Sequence, residues 1–228
     1  MDPLRSTSLL PLLLICVVPG VGLSPAVAAP PPVALEVVAT GLDFPVAVTH
    51  AADDRVFVTL KGGQVLILEG GVVLPEPFLD LGDQVSTKPA DGLLSIVFHP
   101  HYAANGFFFV QYVEPSGDTV IARYHVSEDP NLSDPDSAAV LLRFSKPIPS
   151  HHGGFLRFGP DGYLWAATGD SGGADDPFCR AQADDSLLGK VLRLDVDHNV
   201  DQPPYYAVPL DNPFVGPGAP LDEIWAKG

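Results

Sequence analysis

Two neighbouring stretches of this 228-residue chain carry side chains able to do chemistry. Ser150-His151-His152-Gly153-Gly154 sets two adjacent imidazoles in a glycine loop. Gly169-Asp170-Ser171-Gly172-Gly173-Ala174-Asp175-Asp176-Pro177 is a second loop, rich in glycine and acid. Imidazole titrates near neutrality, so a histidine there can take the proton of a substrate hydroxyl. Carboxylate oxygens are the ligands that hard cations such as calcium take, which makes Asp170, Asp175 and Asp176 candidates for a calcium loop. Between the loops lie an apolar run (Phe155 to Phe158), a turn (Gly159-Pro160-Asp161-Gly162) and a strand (Tyr163 to Thr168). A strand-turn-strand unit with reactive loops at its ends is a rigid scaffold for a site.

Other strings carry weaker signals. Gly169 to Gly173 spells the surroundings of a trypsin-like nucleophile, the remote alternative, but Ala174 stands where proline is expected and no upstream histidine context accompanies it. Asp195-Val196-Asp197-His198-Asn199-Val200-Asp201 alternates oxygen ligands like a calcium loop. It lacks the EF-hand glycine and has Tyr206 at the place of the bidentate glutamate, so it reads as a strand end entering a polar turn. His99 and His101 flank Pro100 without a third ligand, which favours a structural role.

The elements that must position these loops repeat along the chain. Strands opening at 56, 107 and 163 each follow a turn, and each is followed by a second turn and strand. The period is 51 to 56 residues, with no convincing amphipathic helix. Short strands at such a period predict an all-β chain built of propeller blades. A sandwich shows no self-similarity of that length. About 200 residues after a leader, at about 53 per blade, give between three and four blades. Glu223 to Gly228 reads as a strand just beginning, and the expectation is a fragment or truncated form of a larger propeller.

The first 28 residues have the pattern of a secretory signal: Arg5, an apolar run from Leu9 to Leu23, and Ala26-Val27-Ala28 as cleavage site. A proline-rich linker (29–34) and a propeller domain (35–228) would follow. Export to the periplasm or the extracellular space is expected, with no membrane span. Cys16 would leave with the signal, so Cys179 has no internal disulfide partner. With 28 acidic against 12 basic residues the net charge is -16, which argues against nucleic acid or an anionic membrane surface as a partner.

Several strings together resemble the soluble quinoprotein sugar dehydrogenases, the glucose/sorbosone dehydrogenase family. They are GLDFPVAV (Gly41 to Val48), DGLLSIVFHPHYAANGFFFVQY (Asp91 to Tyr112), HHGGFLRFGPDGYLWAATGD (His151 to Asp170), SLLGKVLRLDVD (Ser186 to Asp197), YAVPLDNPF (Tyr206 to Phe214) and EIWAKG (Glu223 to Gly228). The resemblance implies a six-bladed propeller, about half of it present here, that binds pyrroloquinoline quinone (PQQ) and calcium. It implies oxidation of the hydroxyl or hemiacetal of an aldose-type sugar, with hydride passing to the quinone and electrons to an unidentified acceptor. His151 matches the family's catalytic base. His152 falls at the variable position beside it, and His152 and Asp91 are expected to line the substrate mouth. Ala90 replaces the polar residue that usually faces the sugar, and most cofactor ligands are expected beyond Gly228. The other reading is a non-catalytic propeller of the same superfamily, binding a protein or a glycan.

Overall fold

The computed structural model describes residues 33–218 and 220–228, and the expected signal segment, its expected cleavage site and Cys16 lie outside them. The compact unit Val37–Gly228 is made of three antiparallel sheets in chain order. The first holds β1 (Pro45–His50), β2 (Val56–Leu60), β3 (Gln64–Glu69), β4 (Val72–Val73) and β5 (Leu79–Asp80), the last two both pairing with β3. The second runs β6 (Leu93–Phe98), β7 (Phe107–Val113), β8 (Thr119–Val126) and β9 (Ser133–Phe144). The third runs β10 (Gly153–Phe158), β11 (Leu164–Thr168), β12 (Lys190–Leu194) and β13 (Ile224–Lys227). Each is an up-and-down meander, the form of a propeller blade. Among the described residues, helix is confined to one turn, α1 (Tyr102–Asn105), and one 3-10 turn at Gly82–Gln84.

Burial explains the strand patterns. The middle sheet is covered on both faces, so β7 (FFFVQYV) and β8 (TVIARYHV) are apolar almost throughout rather than alternating. In the third sheet only one face is packed. There β11 alternates, with Leu164, Ala166 and Thr168 buried and Trp165 and Ala167 half-buried. Between the first and second sheets sits an aromatic cluster of Phe57, Phe78, Phe98 and Phe108, with Phe57 and Phe98 ring centroids 4.4 Å apart. Between the second and third, Phe109 and Ile121 meet Leu156, Leu164, Leu192 and Ile224.

Three expectations need correction. The strands opening at 56, 107 and 163–164 are the second of each blade, since β1, β6 and β10 precede them. The fifty-residue repeat is visible in the sequence, but its phase is one strand late, because β1 and β10 are half-exposed and open at Pro45 and at Gly153-Gly154. The short apolar run Leu35 to Val38, which reads as a first strand in the sequence, forms none. Finally, Ile224–Lys227 does not begin a new blade. It pairs with β12 as the fourth strand of the third, so the described residues hold three blades.

Candidate functional site

The β10–β11 hairpin brings the two reactive loops together. Its register pairs Gly153 with Thr168 and Phe155 with Ala167. Carried two residues past the open end, that register sets His151 opposite Asp170. There His151 Nδ1 lies 2.8 Å from Asp170 Oδ1. The backbone permits this only through glycine. A Cβ on Gly169 would lie 1.5 Å from the His151 carbonyl oxygen, and one on Gly153 (φ +75°) would lie 2.4 Å from the Ala167 carbonyl. His151 itself is left-handed, with φ +48°, a conformation that costs a non-glycine residue roughly 1–3 kcal/mol.

Asp170 is held below the ordinary carboxylate range, chiefly by the Gly172 backbone N–H and then by the His151 ring, so it is ionised at neutral pH. An ionised carboxylate only accepts hydrogen bonds, so the shared proton sits on His151 Nδ1. In the neutral ring, Nε2 then carries the lone pair. The His151 side chain is half-exposed and borders a cleft of about 560 Å³ whose walls include Asp175, Cys179, Gln182 and Gly228. A histidine with an oriented tautomer and a free Nε2 facing a cleft can accept a proton from a bound hydroxyl.

His152 and Asp91 go elsewhere. Both are buried, with His152 Nε2 2.8 Å from Asp91 Oδ1, and Ser86 Oγ donates to the other Asp91 oxygen at 2.5 Å. Neither borders the cleft beside His151. The pair instead fastens the start of β10 to the loop before β6. Burial, and next the charge of Lys146, push the His152 pKa down, so this ring is neutral at physiological pH.

The calcium candidates do not converge. Asp170 is committed to His151 and Gly172, while both Asp176 oxygens accept backbone N–H groups, from Arg180 at 3.0 Å and Ala181 at 2.8 Å. No cluster of three or more His, Cys, Asp or Glu side chains able to hold a metal occurs among the described residues. These residues do not fit the ion. The loop at 195–201 is likewise spent, with Asp195 paired to His198 at 2.7 Å and Asp197 to His99 at 3.1 Å. Ser171 of the protease-like string is buried, and its hydroxyl is bound to both the N–H and the carbonyl of Ile148 at 2.9 Å. It is a clip between loops, not a nucleophile. Cys179 is an exposed free thiol.

A tricarboxylate such as PQQ needs free cations, and the described walls offer few. The ammonium groups of Lys146 and Lys190 are both turned onto backbone carbonyls, of His151 in the first case and of Arg180 and Leu188 in the second. With Asp170, Asp175 and Asp176 on the cleft, these residues do not by themselves fit that cofactor.

His151 stands out in the sequence and borders the cleft in the structure, whereas its partner does not stand out. By sequence Asp170 is a candidate cation ligand, although counting outward from the Gly159–Gly162 turn sets the two residues opposite one another. Lys146 carries no signal of its own, being one lysine in a proline-rich connection.

Comparison with known proteins agrees with this architecture. The pattern of the family described as Glucose / Sorbosone dehydrogenase matches residues 42–228. The human Hedgehog-interacting protein is 34% identical over 211 residues, which cover 85% of this chain and 30% of that protein. Aldose sugar dehydrogenase YliI of Escherichia coli is 32% identical over 219 residues, 92% of this chain and 55% of the enzyme. The PQQ-bound aldose sugar dehydrogenase of Streptomyces coelicolor superposes with a TM-score of 0.66 at 26% identity, covering 82% of this chain and 52% of that structure. The chain thus spans about a third to a half of the length of these relatives. Three β-propeller blades, the His151 segment on its hairpin and the match over 42–228 place the chain in the glucose/sorbosone dehydrogenase family.

Proposed function

We propose that this chain is the base-bearing half of a sugar-oxidising propeller, in which His151 Nε2 takes the proton of an aldose hydroxyl or hemiacetal. The observation that carries the reading is the His151–Asp170 pair at the cleft, with Nδ1 held at 2.8 Å and Nε2 free. Asp170 stabilises the imidazolium that forms, and the hairpin fixes the ring's direction. PQQ is implied by the family likeness and by its presence in the Streptomyces enzyme. Its carboxylates would be met by the part of the family fold that the relatives have and this chain does not span. Calcium is implied by the family alone, and the electron acceptor is a further partner still to be identified.

A second reading is supported by the Hedgehog-interacting protein likeness and by the acidic cleft wall. On it, the chain is part of a non-catalytic propeller whose mouth binds a protein or glycan. Dye-linked sugar oxidation by the purified chain, with PQQ and calcium added, separates the two. Turnover that disappears in His151→Ala supports the enzyme. Retention on an immobilised glycan or protein without turnover in either protein supports the second reading. We further propose that residues 1–28 are a secretory signal, 29–34 a linker and 35–228 the propeller domain, with export as the consequence. N-terminal sequencing of the secreted protein should begin at Ala29, and a secreted chain still starting at Met1 would remove this reading.

A further inference from the structure

The connection from β9 to β10 is tied to the Gly169–Gly172 loop more heavily than a surface link requires. Ser171 clips Ile148 through both backbone groups, and a Cβ on Gly172 would lie 2.9 Å from that of Ser150. At the centre of these ties, the buried side chain of Lys146 runs beneath the loop and donates from Nζ to the carbonyl of His151 at 2.5 Å. That carbonyl belongs to the one peptide in the cleft that combines a left-handed histidine with a ring committed to Asp170. On the far side, Gln111 Nε2 reaches the next carbonyl, that of His152, only at 3.4 Å. Lys146 therefore makes the short side-chain hydrogen bond to this turn, and it does so with a charged donor, the stronger kind.

We infer that Lys146 is a positioning residue for the base: its ammonium holds the His151 carbonyl and so fixes the strained peptide from which the ring reaches Asp170. The inference deepens the reading of His151 as proton acceptor and rests on it for its catalytic meaning. The groups whose charges face Lys146 are Asp170 and Asp91, which favour its protonated form, and Arg180, which opposes it; the His152 ring senses its charge in turn. Burial outweighs the carboxylates and brings the Lys146 pKa to about 8. A neutral amine is a weaker donor, so the clamp loosens as pH rises through that value. An arginine in its place stays charged.

The test compares wild type, Lys146→Met, Lys146→Arg and His151→Ala of this chain by histidine-labelled NMR and by the dye-linked assay. Wild type should show a downfield Nδ1–H proton bonded to Asp170, assigned by its loss in His151→Ala. Lys146→Met should lose that signal and at least tenfold in turnover with a smaller change in KM. Lys146→Arg should keep the signal and abolish the fall of activity above pH 8. A Lys146→Met protein that keeps both the signal and the wild-type pH profile overturns the inference. Should that variant fail to fold, wild type decides: slowly exchanging Nζ protons with nuclear Overhauser contacts to His151 support the clamp, and a freely exchanging ammonium overturns it. A wild type without turnover, whose Nδ1–H signal still vanishes in Lys146→Met, supports the clamp, and the oxidoreductase reading then falls only when a protein that also carries the cofactor-binding half shows no turnover either.

Discussion

Asp170 decides which nitrogen of His151 is free, and that choice is testable at a single atom. Asp170→Asn keeps the size of the side chain, but the amide offers an N–H as readily as a carbonyl. Where the amide donates, the ring proton moves to Nε2 and the base is blocked. Turnover should fall by about a hundredfold or more with little change in KM, since general-base catalysis contributes about 10²–10⁴-fold. Equal rates for Asp170→Asn and wild type would show that the pair does not set the tautomer. Gly169→Ala tests the same arrangement from the backbone side. Its Cβ would fall 1.5 Å from the His151 carbonyl oxygen, which neither rotamer change nor a small shift relieves. The loop must move, so the Asp170-bonded proton should vanish from the NMR spectrum while far-UV circular dichroism stays that of wild type.

Blades are joined by buried histidines, and this gives the elements a shared pH response. His99 reaches from the end of β6 to Asp197 beyond β12, and His152 ties β10 to the loop carrying Asp91. Burial is the first cause that pushes both pKa values below the ordinary 6.5. As pH falls below 6.5 the unfolded chain takes up these protons before the folded one does. Stability rises with pH wherever the unfolded state binds more protons, so it must fall on acidification in this window. Each ring contributes at most about 1.4 kcal/mol per pH unit. The thermal midpoint of wild type should drop between pH 7 and pH 5, and His99→Gln and His152→Gln should each flatten the drop. Parallel curves for all three proteins would show that these rings titrate alike in both states. The same elements show what the sequence reveals of the fold. The strands β2, β7 and β11 announce themselves because a turn precedes each and their residues are largely apolar. The runs Val46 to Thr49 and Phe155 to Phe158 are visible as well, but their place as the first strands of their blades is not, since β1 is largely exposed and β10 begins with two glycines. His151 is legible as a residue type in a motif. The clamp from Lys146 and the burial of His152 depend on how blades pack, which no local pattern encodes.

At the scale of the whole molecule, the three blades differ in how many faces they bury, and this ranks the cost of losing an aromatic ring. Phe109 on β7 is fully buried between the second and third sheets, beside Ile121, Leu164 and Leu192. Removing its ring leaves a cavity that rigid sheets on both sides cannot close, so Phe109→Ala should cost about 3–5 kcal/mol. Phe155 on β10 points to the open face of the third sheet and is 52% exposed. That face also carries Trp165 and Trp225, whose rings stand edge to face at 5.1 Å, with Arg193 over both. Phe155→Ala should cost about 0.5 kcal/mol or less, as surface substitutions do. Urea unfolding of the two variants checks the ranking. The matched part of this chain covers 52% of the Streptomyces chain. If Phe155→Ala proved as costly as Phe109→Ala in this chain, the face would already be covered in solution. Sedimentation analysis of wild type would then report a species heavier than the 24.1 kDa monomer. A small cost together with monomeric sedimentation would mean that two packed interfaces, between the first and second and the second and third blades, suffice to hold the His151 hairpin in place.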